Sequence, residues 1–270
     1  MRADECESPN SRHGQTMKRV LLLASLVLAG CATVPRPAST VEPPGPPPYD
    51  AWASVLEKFV DEQGRVDFAR ASRDRADLDR FVAHVYDVGP NNEPRLFPAR
   101  EHVLAFHLNA YNALAMYNVI QTGIPTTLAG LKKVEFFYLR KVRIGGQVIS
   151  LYDYENKIIR PLGDARVHAA LNCMSVSCPR LPREPFLPEL LDAQLNREAM
   201  RFFNESRNVA VDHATRTVRV SEILKFYRSD FLAEAPSLLA YVNRYRRTQV
   251  PEHYKIEFIP YDWTINRQPD

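Results

Sequence analysis

The sequence predicts an α+β fold: a single, mainly helical domain with a small antiparallel sheet. Three observations lead to this fold class. Several segments carry apolar residues at the spacing of an amphipathic helix, two short segments alternate around turn residues as hairpins do, and one long segment is apolar on nearly every face. The predicted domain covers residues 49–270, which is long enough to bury a proper hydrophobic core.

Two amphipathic helices open the predicted domain. Tyr49 to Val60 and Ala76 to Val85 both place apolar side chains at helical spacing. Between them, Gly64 to Phe68 predicts a turn followed by a short strand.

A long helix is predicted from Glu101 to Gln121, and Gly123 marks its end. Its apolar residues cover nearly the whole circumference, which is typical of a buried central helix. Asn109 and Asn112 are three positions apart and share a face of this helix. A buried amide without a partner costs about 1–3 kcal/mol, so both side chains are expected to form hydrogen bonds.

The second half of the domain is predicted to mix hairpins and helices. Val142 to Ser150 and Val209 to Val220 have the alternation and the turn residues of two-stranded hairpins. The remaining predicted elements are helices over residues 151–159, 187–203, 221–226 and 236–245, and a last strand over residues 256–260.

The start of the chain resembles a bacterial lipoprotein signal. Lys18 and Arg19 precede an apolar run, Val20 to Leu28, that is too short to cross a membrane as a helix. The run ends in a lipobox-like motif whose Cys31 would carry the lipid. We therefore expect a signal peptide over residues 17–30, and residues 1–16 as a mis-assigned start.

Residues 31–48 are crowded with proline and predict a tether between the lipid and the domain. Ala32 follows Cys31, which resembles lipoproteins that are sent to the outer membrane. The expected location is the periplasmic side of the bacterial outer membrane, with the membrane as a partner through the anchor. An envelope protein or a cell-wall ligand is a further expected partner.

Charge content argues against one class of partner, and cysteine content limits the number of thiols in the domain. The chain has 35 basic and 32 acidic residues and no basic cluster, so nucleic acid is not an expected partner. Of the four cysteines, only Cys173 and Cys178 fall within the predicted domain.

Those two cysteines follow His168 closely, and three interpretations of the segment remain open. The first is a Cys173–Cys178 disulfide, which suits a compartment outside the cytoplasm. The second is a cysteine nucleophile with His168 or His107 as the base and Asn109 or Asn112 as the residue that orients the ring. The third is a zinc site formed by His168, Cys173 and Cys178, completed by His107 or Glu155.

Several motifs, taken together, resemble the domain of unknown function 547 family. They are Phe106 to Leu114, Ile144 to Gly146, Ser150-Leu151, Glu155, Arg160, His168 to Cys173, Ser177 to Pro179 and Tyr261 to Trp263. The resemblance covers about Phe97 to Phe231 and, more loosely, the C-terminal tail.

This resemblance implies a site but no settled activity. It singles out Asn109, Asn112, Glu155, His168, Asn172, Cys173 and Cys178. The family usually has Trp where this chain has His107, so a role for His107 would be peculiar to this protein. Relatives fused to glutaredoxin-like domains point by analogy to thiol chemistry.

The working hypothesis is a thiol-dependent hydrolase or acyl transferase that acts on an amide or a thioester. Its candidate catalytic residues are Cys173, His168, Asn109, Asn112 and Glu155. The residues predicted at the periphery of the site are Asn172, Cys178, Tyr111 and Asp262, the last as a buried carboxylate beside an aromatic plug. The alternatives are a non-enzymatic envelope binding domain with a structural disulfide, and a zinc-binding domain.

Overall fold

The computed structural model of the chain describes residues 33–38 and 44–269. The expected signal peptide, the residues before it and Cys31 lie outside this part of the chain, and so does part of the predicted tether. Among the described residues, no helix has the length and apolar character needed to span a membrane.

Three helices begin the domain: α1 (Tyr49–Phe59), α2 (Phe68–Arg73) and α3 (Ala76–Asp87). The predictions for α1 and α3 are confirmed. The strand predicted before Phe68 is wrong, since only Val66 makes bridges there. Asp67 accepts a hydrogen bond from the backbone N–H of Arg70 at 2.9 Å, and this N-cap starts α2 instead.

The long central helix is confirmed as α4 (Arg100–Gln121), which is buried continuously from Leu104 to Ile120. It lies in a hydrophobic cluster with the apolar faces of α1 and α3. Burial on all sides explains why the helix is apolar nearly all round.

Two π-helical segments flank the first hairpin. α5 (Leu131–Val134) continues as a π-helix over Glu135–Leu139, and α6 (Leu151–Asp153) continues over Tyr154–Ile159. Between them lie the antiparallel strands β1 (Lys141–Ile144) and β2 (Gln147–Ser150). The turn that joins the strands places Gly145 and Gly146 at φ values of 52° and 80°, which glycine adopts without a steric cost.

A second sheet holds three strands, β3 (Val209–Asp212), β4 (Thr217–Ser221) and β5 (Lys255–Ile259). β3 and β4 form the predicted antiparallel hairpin, whereas β5 lies parallel to β4. Parallel pairing needs a long connection, and the chain between β4 and β5 supplies one. The helices of this half are α7 (Leu191–Asn204), α8 (Ile223–Phe226), α9 (Arg228–Glu234) and α10 (Leu238–Asn243).

The mainly helical α+β prediction is thus confirmed, and the core divides into two hydrophobic clusters. One surrounds α4, and the other packs α7 and α10 against the three-stranded sheet. The segment that carries His168 and the cysteines contributes to both clusters, with Ala165 and Ala169 in the second and Val167 and Ala170 in the first. The candidate site therefore lies where the two clusters meet.

Candidate functional site

The segment of His168 begins as a short 3₁₀ helix, Ala165–Ala169, that α4 holds in place. The Asn112 side chain donates to the carbonyl of Ala170 at 3.1 Å and accepts from the backbone N–H of Asn172 at 2.7 Å. This buried amide was predicted to need hydrogen-bond partners, and they are backbone groups of the segment just before the cysteines. Asn112 fixes the position of this segment relative to α4.

The loop after Asn172 is closed by side-chain hydrogen bonds and by a cysteine pair. Asn172 accepts from the N–H of Met174 and donates to the carbonyl of Pro179, both at 2.6 Å. Cys173 and Cys178 lie as a disulfide pair with their Cα atoms 6.3 Å apart. The structure thus agrees with the first of the three interpretations for these cysteines.

The C-terminal tail, residues 261–266, packs on this loop. The backbone of Val176 donates to Thr264, and that of Asn266 donates to Met174, at 2.8 and 2.9 Å. The Tyr261 hydroxyl lies 3.4 Å from the sulfur of Cys173 and 3.1 Å from that of Cys178. Paired sulfurs carry no proton, so the hydroxyl is the donor to them.

The aromatic plug predicted for the tail is present, because the rings of Tyr261 and Trp263 lie 4.3 Å apart, centroid to centroid, at the site. The carboxylate predicted as the partner of this plug is not buried. Asp262 is exposed, and its side chain accepts from the N–H of Thr264 at 2.9 Å. The alternation of the strand-like tail turns Asp262 outward when its two neighbours face inward.

His168 is buried and makes two specific contacts. Its Nε2 lies 2.8 Å from Oδ2 of Asp230, and its ring stacks on Tyr227 with the centroids 4.0 Å apart. Burial works against the charge of Asp230, but the hydrogen bonds from Arg160 and His168 prevail and lower the pKa of that carboxyl. Asp230 is therefore ionised at neutral pH and fixes the orientation of the His168 ring.

Asp230 is a residue of the candidate site that sequence reasoning missed, as are Lys133 and Tyr227 on the cavity wall. Asp230 stands 62 positions from His168 in a segment whose charges look like those of any exposed helix. In the described part of the chain, the residue that hydrogen-bonds His168 is Asp230, and neither Asn109 nor Asn112 does so. No hydrogen bond joins His168 to Cys173 there either.

Glu155 is 8% exposed and accepts a hydrogen bond from the Tyr111 hydroxyl at 3.0 Å. Burial, followed by the negative charge of Glu155, raises the pKa of Tyr111 and that of Tyr227 well above the ordinary value. Both phenols therefore keep their protons and remain hydrogen-bond donors. Glu155 forms no ion pair with any residue that the structure describes.

These groups surround a cavity of about 340 Å³. Its walls are Tyr111, Lys133, Phe137, Tyr138, Tyr152, Glu155, Asn156, Arg160, His168, Leu171, Cys173, Cys178, Pro179, Ile223, Phe226, Tyr227, Tyr261 and Trp263. Aromatic rings predominate, and the Lys133 ammonium lies 4.1 Å from the centroid of the Trp263 ring. Of the candidate residues, the cavity brings together Cys173, His168, Glu155, Cys178 and Tyr111.

The other candidates are not among the residues that line the cavity, namely Asn109, His107, Asn112, Asn172 and Asp262. Asn109 forms three backbone hydrogen bonds, two of them with Phe186 at 2.7 and 2.9 Å. His107 lies 2.8 Å from the Tyr154 hydroxyl, and burial lowers the pKa of His107 to about 4, so its ring is neutral at pH 7. Both side chains stabilise the interior around α4.

Zinc binding through His168, Cys173 and Cys178 stays a prediction. The paired cysteines have no free thiolate to offer as ligands. Among the described residues, no three His, Cys, Asp or Glu side chains come together in a way that could hold a metal ion.

Comparison with known proteins supports the resemblance described above. Residues 96–203, which are less than half of the chain, match the family described as "Protein of unknown function, DUF547". The matched stretch contains α4 and the cysteine loop, but neither Asp230 nor the C-terminal tail. No curated protein and no solved structure matches the chain.

Proposed function

We propose that this chain is a lipid-anchored envelope protein whose domain binds a small ligand in the cavity beside the Cys173–Cys178 pair. The lipobox-like motif at Cys31 and the apolar run before it support the location. A disulfide is also typical of proteins that work outside the cytoplasm.

The observation that carries this proposal is the pairing of Cys173 with Cys178 on the wall of a cavity of about 340 Å³. Pairing consumes both thiols, so the oxidised protein has no cysteine nucleophile. The cavity volume is within the range of small-molecule sites, and its aromatic walls with a few polar groups are typical of such sites. Binding is therefore the function that this geometry supports best.

The redox state of the cysteines is the first test. The protein is purified from the periplasm, alkylated under denaturing, non-reducing conditions with a chelator present, and weighed intact. We expect no label on Cys173 or Cys178. Two labels would contradict the proposal, and a sample reduced before alkylation is the control that shows both thiols can be labelled.

Removing the pair gives a second test. The double variant Cys173→Ser, Cys178→Ser should lose about 2 kcal/mol of unfolding free energy, because a short closed loop no longer restricts the unfolded chain. The measurement is urea denaturation, with Val176→Ala, which shortens an exposed side chain, as a control in the same loop. An unchanged midpoint for the double variant would contradict a structural role.

Thiol-dependent hydrolysis or acyl transfer is a second candidate, because Cys173 and His168 line the same cavity and Asp230 orients the imidazole. A dithiol reductant would first have to supply two electrons and two protons to the disulfide. His168 would then take the proton of the Cys173 thiol, the thiolate would attack the carbonyl carbon, and the C–N or C–S bond would break as His168 returned that proton to the leaving amine or thiol. Water or an acceptor would release the acyl group and regenerate the thiolate.

Single serine variants assayed after reduction test this candidate. Cys173→Ser should abolish turnover of a thioester substrate, whereas Cys178→Ser should retain it, since Cys178 is assigned only as a resolving or regulatory partner. The reverse pattern would overturn these roles. Equal turnover by the wild type and both variants would overturn cysteine catalysis altogether.

A further inference from the structure

Glu155 and Glu198 are the two buried carboxylates in the described part of the chain, and their surroundings differ. Glu198 forms ion pairs with Arg180, Arg197 and Arg201 at 3.4, 2.9 and 3.0 Å. The hydrogen bond described for Glu155 comes from a neutral phenol, that of Tyr111. A buried carboxylate without a cation is costly, which makes a cationic partner from outside the chain favourable.

Neither basic group on the cavity wall forms an ion pair with Glu155, although the charge of Arg160 interacts with it at longer range. The Arg160 guanidinium binds both carboxylate oxygens of Asp230, at 2.7 and 2.6 Å. The Lys133 ammonium lies over the Trp263 ring and makes no ion pair with a described residue. The cavity wall therefore carries one acidic group, Glu155, and one basic group, Lys133, that form no ion pair with a described residue.

Aromatic rings line the same cavity as these two charged groups. Tyr227, Phe226 and Trp263 all line the cavity. The faces of such rings attract ammonium groups and also pack against alkyl chains. An unpaired carboxylate next to aromatic rings is a favourable environment for a protonated amine.

We propose that the ligand is a zwitterion of the amino-acid or short-peptide type. Its ammonium group binds Glu155, and its carboxylate binds Lys133. The assignment rests on the proposed binding function and specifies the chemistry of that cavity.

Four dipeptide probes test the assignment on the oxidised, full-length protein by calorimetry. Gly-Tyr has both charges, N-acetyl-Gly-Tyr lacks the ammonium, Gly-Tyr amide lacks the carboxylate, and N-acetyl-Gly-Tyr amide lacks both. Gly-Tyr should bind the wild-type protein at least about tenfold more tightly than either singly blocked peptide, as expected for the loss of one charged hydrogen bond.

Two variants test the two proposed charge contacts separately. Glu155→Gln should weaken Gly-Tyr about tenfold and leave N-acetyl-Gly-Tyr unchanged, because the acetylated peptide has no ammonium to lose. Lys133→Met should weaken Gly-Tyr similarly and leave Gly-Tyr amide unchanged. Glu57→Gln and Lys132→Met, which change exposed side chains, are the matched controls and should bind Gly-Tyr as the wild type does.

The outcomes separate this assignment from the proposed function. If the blocked peptides bind the wild-type protein as tightly as Gly-Tyr, the zwitterion assignment is wrong while the cavity still binds ligands. If none of the four peptides binds, the zwitterion assignment is contradicted, and the alkylation and stability tests of the cysteine pair still decide the proposed function. The wild-type comparison of free and blocked peptides decides the matter even if Glu155→Gln fails to fold.

Discussion

The interior around α4 and α7 provides protein partners for its buried polar side chains, whereas the cavity wall leaves Glu155 and Lys133 without an ion pair to any described residue. Asn112 and Glu198 are matched by backbone groups and by arginines. On the cavity wall, Glu155 and Lys133 meet a phenol and an aromatic ring. The comparison teaches that burial alone does not mark a structural residue: the partners do.

The largest effect should come from breaking the arginine cluster of the interior. Glu198→Ala leaves Arg180 and two further arginines without their shared carboxylate, and about 3–4 kcal/mol of unfolding free energy should be lost. Urea denaturation measures this loss. Glu57→Ala, on an exposed face of α1, is the control and should change stability little.

His107 should make the stability of the interior depend on pH. Burial lowers its pKa from 6.5 to about 4, so between these values the unfolded chain binds a proton that the folded chain does not. Stability therefore falls as the pH is lowered, by about 2–3 kcal/mol between pH 7.5 and 4.5.

The measurement for His107 is urea denaturation at both pH values, and His107→Gln should reduce the difference between them by that amount. An identical pH dependence in the variant would show that other groups cause it. The pKa of Asp230 is lowered in the folded state. Its contribution to stability is therefore complete above the unfolded pKa, and it is lost as the pH falls from that value through the lowered one.

A smaller loss is expected at Asn112. Asn112→Ala leaves the carbonyl of Ala170 and the N–H of Asn172 unpaired in the interior, at a cost of about 2 kcal/mol. Because the same hydrogen bonds position the cysteine loop, binding of Gly-Tyr should also weaken. Unchanged stability in thermal and urea unfolding would mean that water or a backbone shift replaces the amide.

The smallest loss of stability is expected at Glu155, and it tests the comparison between the interior and the cavity wall most directly. Glu155→Gln removes no ion pair with a described residue, keeps an oxygen that accepts from Tyr111 and relieves an uncompensated buried charge, so the unfolding free energy should not fall. Differential scanning calorimetry of Glu155→Gln and Glu198→Ala, measured side by side, compares their stabilities with that of the wild type. A loss as large as that of Glu198→Ala would place Glu155 with the structural residues and contradict the distinction.

Local patterns predicted much of the fold. α4 was predicted to within one residue because its apolar run and its terminating glycine are local signals, and both hairpins have clear turn residues. The need of Asn109 and Asn112 for partners also followed from the residue types. Their actual partners, at Phe186 and at Ala170 with Asn172, depend on which segments pack against α4.

The site was predicted only in part, for the same reason. Cys173, His168 and Glu155 were identified by their types and motifs, and the structure brings them to one cavity. Asp230 and the exposure of Asp262 depend on contacts with distant segments and on the direction of a strand-like tail. Sequence spacing has no signal for such contacts.

The tail that packs on the cysteine loop also sets an order of assembly. Residues 261–266 are synthesised after all the other segments that form the cavity, and Tyr261 and Trp263 complete its wall. The polypeptide therefore cannot present a complete cavity wall until this tail has been made and has docked. Synthesis that stopped at residue 260 would leave the cavity without two of its aromatic rings.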